Sequence, residues 1–135
     1  MTVTAIRSRS AGSRRFAVGS TSLSVVCRTR GRGPRTETTV SVAGEIDSVN
    51  AGEFARMVRE AVGVCAGMIL DLTEIDFMAV DGVSALHAVN AHLLRTDVDW
   101  CVVASPPVTR VLDLCDPEGL IPLARVPSLR SAATA

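Results

Sequence analysis

From residue 23 onward the chain passes between short apolar runs with a two-residue period and longer stretches with apolar residues every three or four positions. Residues 23–29 and 36–42 each show partial alternation, and Gly31-Arg32-Gly33-Pro34 between them supplies turn chemistry. The pattern predicts an antiparallel hairpin. The second strand ends in Ala43-Gly44-Glu45-Ile46-Asp47, after which Ser48 or Asn50 is placed to cap a helix over 51–62. Phe54, Met57, Val58, Ala61 and Val62 form its apolar stripe, Glu53 complements the dipole in its first turn, and Asn50 and Glu53 have capping-box spacing.

Residues 68–72, Met-Ile-Leu-Asp-Leu, read as a central strand, and 75–78 as the connection that follows it. Asp81 and Gly82 then open a second helix over 83–94, with Asp81 at the N-cap and Val83, Leu86, Val89 or Asn90, Leu93 and Leu94 facing the core. Residues 100–104 form the next strand. Ser105-Pro106-Pro107 starts a helix over 108–115, with the serine as cap and proline in the first turn. A last, edge-like strand is expected at 121–126, where Pro122 removes one donor. The order β-β-α-β-α-β-α-β predicts a single α/β domain: a mixed four- to five-stranded sheet with helices packed mainly on one side.

Composition narrows the chemistry. In 135 residues, 47% hydrophobic, there are three Phe, one Trp and no Tyr, so the core is aliphatic and little is left for stacking bases or sugars. No lysine occurs, which removes Schiff-base chemistry and the P-loop lysine. The neutral total divides into eight Arg and no acid in residues 1–35, against six Arg and fourteen acids after them. A basic arm thus precedes a body that repels phosphate backbones and suits a protein partner with a basic face. The expected divisions are a flexible basic arm at 1–20, the domain at 21–127 and a flexible tail at 128–135. No run approaches the length of a membrane span, and the Arg14-Arg15 pair lacks the apolar stretch of an export signal, so the expected location is cytoplasmic.

The four cysteines, at 27, 65, 101 and 115, have no metal-site spacing, and His87 and His92 point to different faces of one helix. No metal or cofactor is expected. Cys101 reads as a small buried hydrophobe, while Cys65 and Cys115, at element ends, are candidate redox thiols. Asp71 follows an apolar strand as a receiver phosphoacceptor would, but without a lysine it reads as a solvated strand-end residue or a local acceptor. No GxxxxGK, GxSxG or HExxH is present, and the chain is read as a binding protein, not an enzyme.

Between residues 40 and 126 the chain resembles a STAS domain of the bacterial anti-sigma factor antagonist type. The resemblance rests on Gly44-Glu45-Ile46-Asp47 before a helix, Leu70-Asp71-Leu72 followed by Ile75-Asp76-Phe77-Met78, Asp81-Gly82-Val83 at a helix start, Val103-Ala104-Ser105-Pro106-Pro107-Val108 with Arg110-Val111-Leu112, and Gly119-Leu120. It implies a switch protein that binds an anti-sigma factor of the ATP-binding serine-kinase type and so promotes sigma-dependent transcription. In the family a serine at the start of the second long helix, within Asp-Ser-Ser-Gly, is phosphorylated to block binding. Here those positions read Ala79-Val80-Asp81-Gly82, so Asp81 replaces the phosphoacceptor serine. Its fixed charge is near −1, against about −1.5 to −2 for phosphoserine. Two readings follow: Asp81 mimics the phosphorylated state, or the partner has adapted to it. The implied partner surface comprises Glu45, Asp47, Ser48, Asn50, Met78, Ala79, Val80, Asp81, Gly82 and Ser84, and no direct contact with nucleic acid or membrane is expected. A monomer or weak homodimer is expected; the alternative is a non-catalytic STAS scaffold or oligomerising signalling module.

Overall fold

The computed structural model describes residues 23–32, 35–63 and 65–124 in full, together with the backbone of 3–7 and 13–18. Strands β1 (Val3–Arg7), β2 (Ser13–Val18), β3 (Ser24–Arg30) and β4 (Glu37–Ile46) are followed by helix α1 (Ala51–Val62). Strand β5 (Gly67–Met78), helix α2 (Val80–Arg95), strand β6 (Asp99–Ala104) and helix α3 (Pro106–Cys115) complete the order. The sheet runs β1-β2-β3-β4-β5-β6, antiparallel up to β4 and parallel from β4 to β6. Parallel neighbours need crossovers, and α1 and α2 supply them. Successive right-handed crossovers moving in one direction across a sheet keep their helices on the same face.

The burial pattern shows which face that is. Val25, Cys27, Thr38, Val40, Val42, Met68, Leu70, Leu72 and Val102 are buried, while the residues alternating with them on β3 to β6 are exposed or half-buried. Against the buried face pack Phe54, Met57 and Val58 of α1, Val83, Leu86, Val89 and Leu93 of α2, and Val108 and Leu112 of α3. The mixed sheet covered by helices on one side is the architecture that the alternation of elements implies.

Several local expectations need correction. Helix α1 has the expected ends, but α2 begins at Val80, one turn early, and Leu94 in its last turn is exposed. Val89 takes the core position, whereas Asn90 accepts a hydrogen bond of 2.9 Å from the indole N–H of Trp100. Residues 75–78 continue β5 and do not form a connection. The alternation that marks a strand is broken there by two register shifts against β4, between Ser41 and Ala43 and between Gly44 and Glu45. Gly44, at φ 118°, allows the backbone to turn at the second of them. The expected strand at 121–126 is reduced to one bridge, Leu123 with Val102, flanked by the bonds Val102 N–H to Pro122 C=O and Ala124 N–H to Val102 C=O. Residues 125 and 126 lie outside the described part, as does the expected tail. In the segment read as an arm, β1 and β2 extend the sheet beyond β3 as an antiparallel pair.

Candidate functional site

The implied partner surface collects at one end of the sheet, where β4 and β5 both finish. Glu45 and Ile46 lie in register with Phe77 and Met78, and the amide of Ala79 donates to the Ile46 carbonyl at 2.8 Å. The exit of β4 and the entry to α2 are therefore held side by side by backbone bonding. Gly82 seats the helix. A methyl group in its place would lie 2.6 Å from Met78 Cγ and 3.1 Å from Ile46 Cγ2, so only glycine lets the first turn of α2 approach β4 and β5 this closely.

The 47–50 turn is built around a buried side chain. Asn50 is fully buried: its Oδ1 accepts from the Asp47 amide at 2.9 Å, and its Nδ2 donates to the Glu45 carbonyl at 2.9 Å. In return Asp47 Oδ1 accepts from the amides of Val49 and Asn50, each at 2.9 Å. These reciprocal bonds satisfy backbone groups left over when β4 ends. Asn50 occupies the N-cap position of α1 but makes no side-chain cap bond, and Glu53 pairs with Arg56 instead of closing a capping box. The expected caps are thus replaced by a turn network.

Asp81 is not the N-cap of α2. That position belongs to Ala79, and Asp81 is the exposed second residue of the helix, where its carboxylate complements the N-terminal dipole. Ser84 and Ser48 are exposed, and Met78 and Gly82 are buried beneath them. The structure adds two residues that the pattern reading missed. Val49 is 68% exposed and Phe77 49%, and together with Val80 at 62% they leave three apolar side chains at the end of the sheet bearing Glu45, Asp47, Asp76 and Asp81. Phe77 carried a signal: it precedes Met78, and two adjacent strand residues cannot both face one core.

The other candidates lie elsewhere. Cys65 stands in the α1–β5 connection and Cys115 ends α3; both are half-buried free thiols. Cys101 is half-buried on the helix-free face, not a core residue, and burial together with nearby Glu37 raises its thiol pKa. Asp71 lies within β5 and accepts from the amide and hydroxyl of Thr73, at 3.0 and 2.6 Å, and from the Ser41 hydroxyl at 3.4 Å. It is the local acceptor of the two expected roles. His87 and His92 are half-buried, and His87 Nε2 lies 3.8 Å from the buried carboxylate of Asp116, which accepts the amides of Leu120 and Ile121. A shallow open depression of about 220 Å³ is lined by Ser24, Val26, Ser41, Val42, Ala43, Asp71 and Glu74, mostly on the helix-free face. Among the described residues no group of three His, Cys, Asp or Glu is placed to hold a metal ion, and no helix is long and apolar enough to cross a membrane.

Comparison with known proteins bears on this geometry. The family profile described as STAS domain matches residues 29–128. Osmosensory protein A of Mycobacterium tuberculosis is 33% identical over 92 residues, 65% of this chain, and the match spans 58% of that protein's length. Among solved structures, an anti-sigma factor antagonist from Mycobacterium paratuberculosis superposes with a TM-score of 0.61 at 24% identity, covering 87% of this chain and 97% of that one. The unphosphorylated anti-sigma factor antagonist SpoIIAA gives 0.56 at 14% identity, covering 80% and 96%. At these identities the two structural matches establish the shared fold.

Proposed function

The chain belongs to the STAS domain family, a non-catalytic regulatory module, and from that premise we propose that it is an anti-sigma factor antagonist. In this reading it acts in the cytoplasm, binds an anti-sigma factor of the ATP-binding serine-kinase type through the surface around the start of α2, and thereby promotes sigma-dependent transcription. The observation that carries it is the exposure of Val49, Phe77 and Val80 beside four carboxylates at the end of β4 and β5. Large apolar side chains left in water next to one sign of charge form the anchors and rim of a protein-docking surface. The fold likeness to two anti-sigma factor antagonists supports the same reading.

Asp81 sets how the surface is controlled. It has no hydroxyl to phosphorylate, and its single charge at the second helical position is a partial substitute for phosphoserine. The reading adopted is an adapted partner that docks onto Asp81 without kinase control. Titration calorimetry with the ATP-binding anti-sigma factors of the same cell tests it. Wild-type protein is expected to bind one of them. Phe77→Ala is expected to weaken binding at least tenfold, about 1.4 kcal/mol, as loss of an interface anchor does. Asp81→Ala is expected to weaken it less. If only Asp81→Ser binds, Asp81 is a built-in off state; if neither form binds, the antagonist reading is wrong.

A further inference from the structure

We propose that the end of the sheet opposite the docking surface, where β1, β2 and β3 bring arginines together, binds the phosphate backbone of nucleic acid without reading its sequence. This site does not depend on the antagonist reading. It replaces the expectation of no nucleic-acid contact, which followed from the summed charge of the body, whereas the fold separates the two signs.

Register assembles the site from segments distant in sequence. The end of β1, the start of β2, the end of β3 and the start of β4 share one end of the sheet, because Arg7 is in register with Arg14, Ser13 with Arg28, and Arg30 with Glu37. Arg7, Arg14 and Arg15 are thus placed beside β3, which carries Arg28 and Arg30. Like charges directly opposite each other on paired strands, as at Arg7 and Arg14, cost stability that a bound anion restores. Arg28 and Arg30 stand on one side of β3, about 7 Å apart. The turn after them adds Arg32 and Arg35 and is closed by the Arg35 amide, which donates to the Arg32 carbonyl at 3.2 Å. All four of these arginines are exposed, and none forms an ion pair among the described residues.

A phosphate backbone fits this end better than an acidic protein or a lipid surface does. Among the described residues, no large apolar side chain between 23 and 45 is exposed, so the patch lacks the apolar core of a protein interface and the apolar face that enters a membrane. Guanidinium groups meet phosphate oxygens with paired N–H donors, and interfaces with nucleic acid are polar and positively charged. Residues 24–32 and 35–39 hold no aromatic ring, Asn or Gln with which to stack on bases or read their edges. The acids at this end, Glu37, Asp97 and Asp99, belong to the β4 to β6 side, where Arg95 also lies. Glu37 adjoins Arg30, while Asp99 is three strands from it, about 14 Å. Asp71 is two strands across and two residues along from Arg28, about 12 Å, which exceeds the Debye length of about 10 Å in 0.1 M salt. The backbone therefore crosses β1 to β3 and the 30–35 turn and avoids the acidic side. The ten residues of β4 put about 30 Å between this end and the docking surface, so both can be occupied at once.

The test is fluorescence anisotropy of a labelled DNA duplex of random sequence, titrated with the full chain at salt from about 50 to about 200 mM. With one phosphate neutralised by each of the four exposed arginines, log K is expected to fall against log salt with a slope of about −3.6, roughly 150-fold over that range. Arg30→Ala combined with Arg32→Ala is expected to weaken binding at least fivefold at the lowest salt and to bring the slope to about −1.8. Should that pair lose its native circular dichroism, Arg28→Ala with Arg35→Ala is expected to give the same result. Glu37→Gln is expected to tighten binding about twofold by removing the nearest repelling carboxylate. Arg110→Ala, an exposed arginine on α3, is expected to leave binding unchanged. No binding at the lowest salt, a slope indifferent to the arginine pairs, or an equal loss from Arg110→Ala overturns the proposal. So does binding of polyglutamate or of phosphatidylserine vesicles as tight as that of DNA, which would assign the patch to an acidic protein or to a membrane.

Discussion

Asn50 shows how one side chain sets the shape of the candidate site. It is fully buried and joins the last residues of β4 to the first turn of α1 through Glu45 C=O and the amide of Asp47. Removing its amide takes away the partners of the Glu45 carbonyl and the Asp47 N–H. Asn50→Ala is therefore expected to destabilise the fold by about 1–3 kcal/mol, read as a lowered midpoint in urea, and to weaken partner binding by loosening Val49. Asn50→Asp keeps the acceptor and loses the donor, and is expected to recover only part of the loss. The sequence marked this position, but as a helix cap. Its type pointed to local backbone bonding, and the bonds it makes depend on where β4 ends.

At the scale of elements, β5 carries the most of what the pattern left hidden. Its first half alternates cleanly, and its second half, with Ile75 and Met78 buried and Asp76 and Phe77 exposed, does not. The two bulges that break the alternation also turn Phe77 outward. The stretch is braced from the α3 side: the buried Ser105 hydroxyl donates to the Ile75 carbonyl at 2.7 Å. This hydroxyl was expected to cap α3, and it makes no cap bond. Ser105→Ala removes that bond. The expected result is faster hydrogen exchange at the amides of 75–79 with little change at 68–72, measured by mass spectrometry or NMR. Equal acceleration in both halves would show that β5 opens as one unit. Helix α1, by contrast, has the ends its apolar period predicts, because a helix face is set by spacing alone and no neighbouring strand needs to shift register.

For the molecule as a whole, the placement of all three helices on one side divides the surface into independent regions. The end of the sheet at Phe77, Val80 and Asp81 is available for a partner, while the helix-free face presents β3 to β6. Phe77→Ala is expected to reduce anti-sigma factor binding in calorimetry while the urea midpoint of the fold changes little, because Phe77 is half exposed.

The alternation of strand and helix patterns, the hairpin before residue 42, the aliphatic core and the Asp81 position where the STAS resemblance places a serine were all present in the order of residues. These features depend on spacing along the chain and on residue type. The start of α2 at Val80 and the outward turn of Phe77 emerged only with the folded sheet. They follow from register between segments far apart in sequence, and register is decided by packing, bulges and backbone hydrogen bonds that no single segment contains.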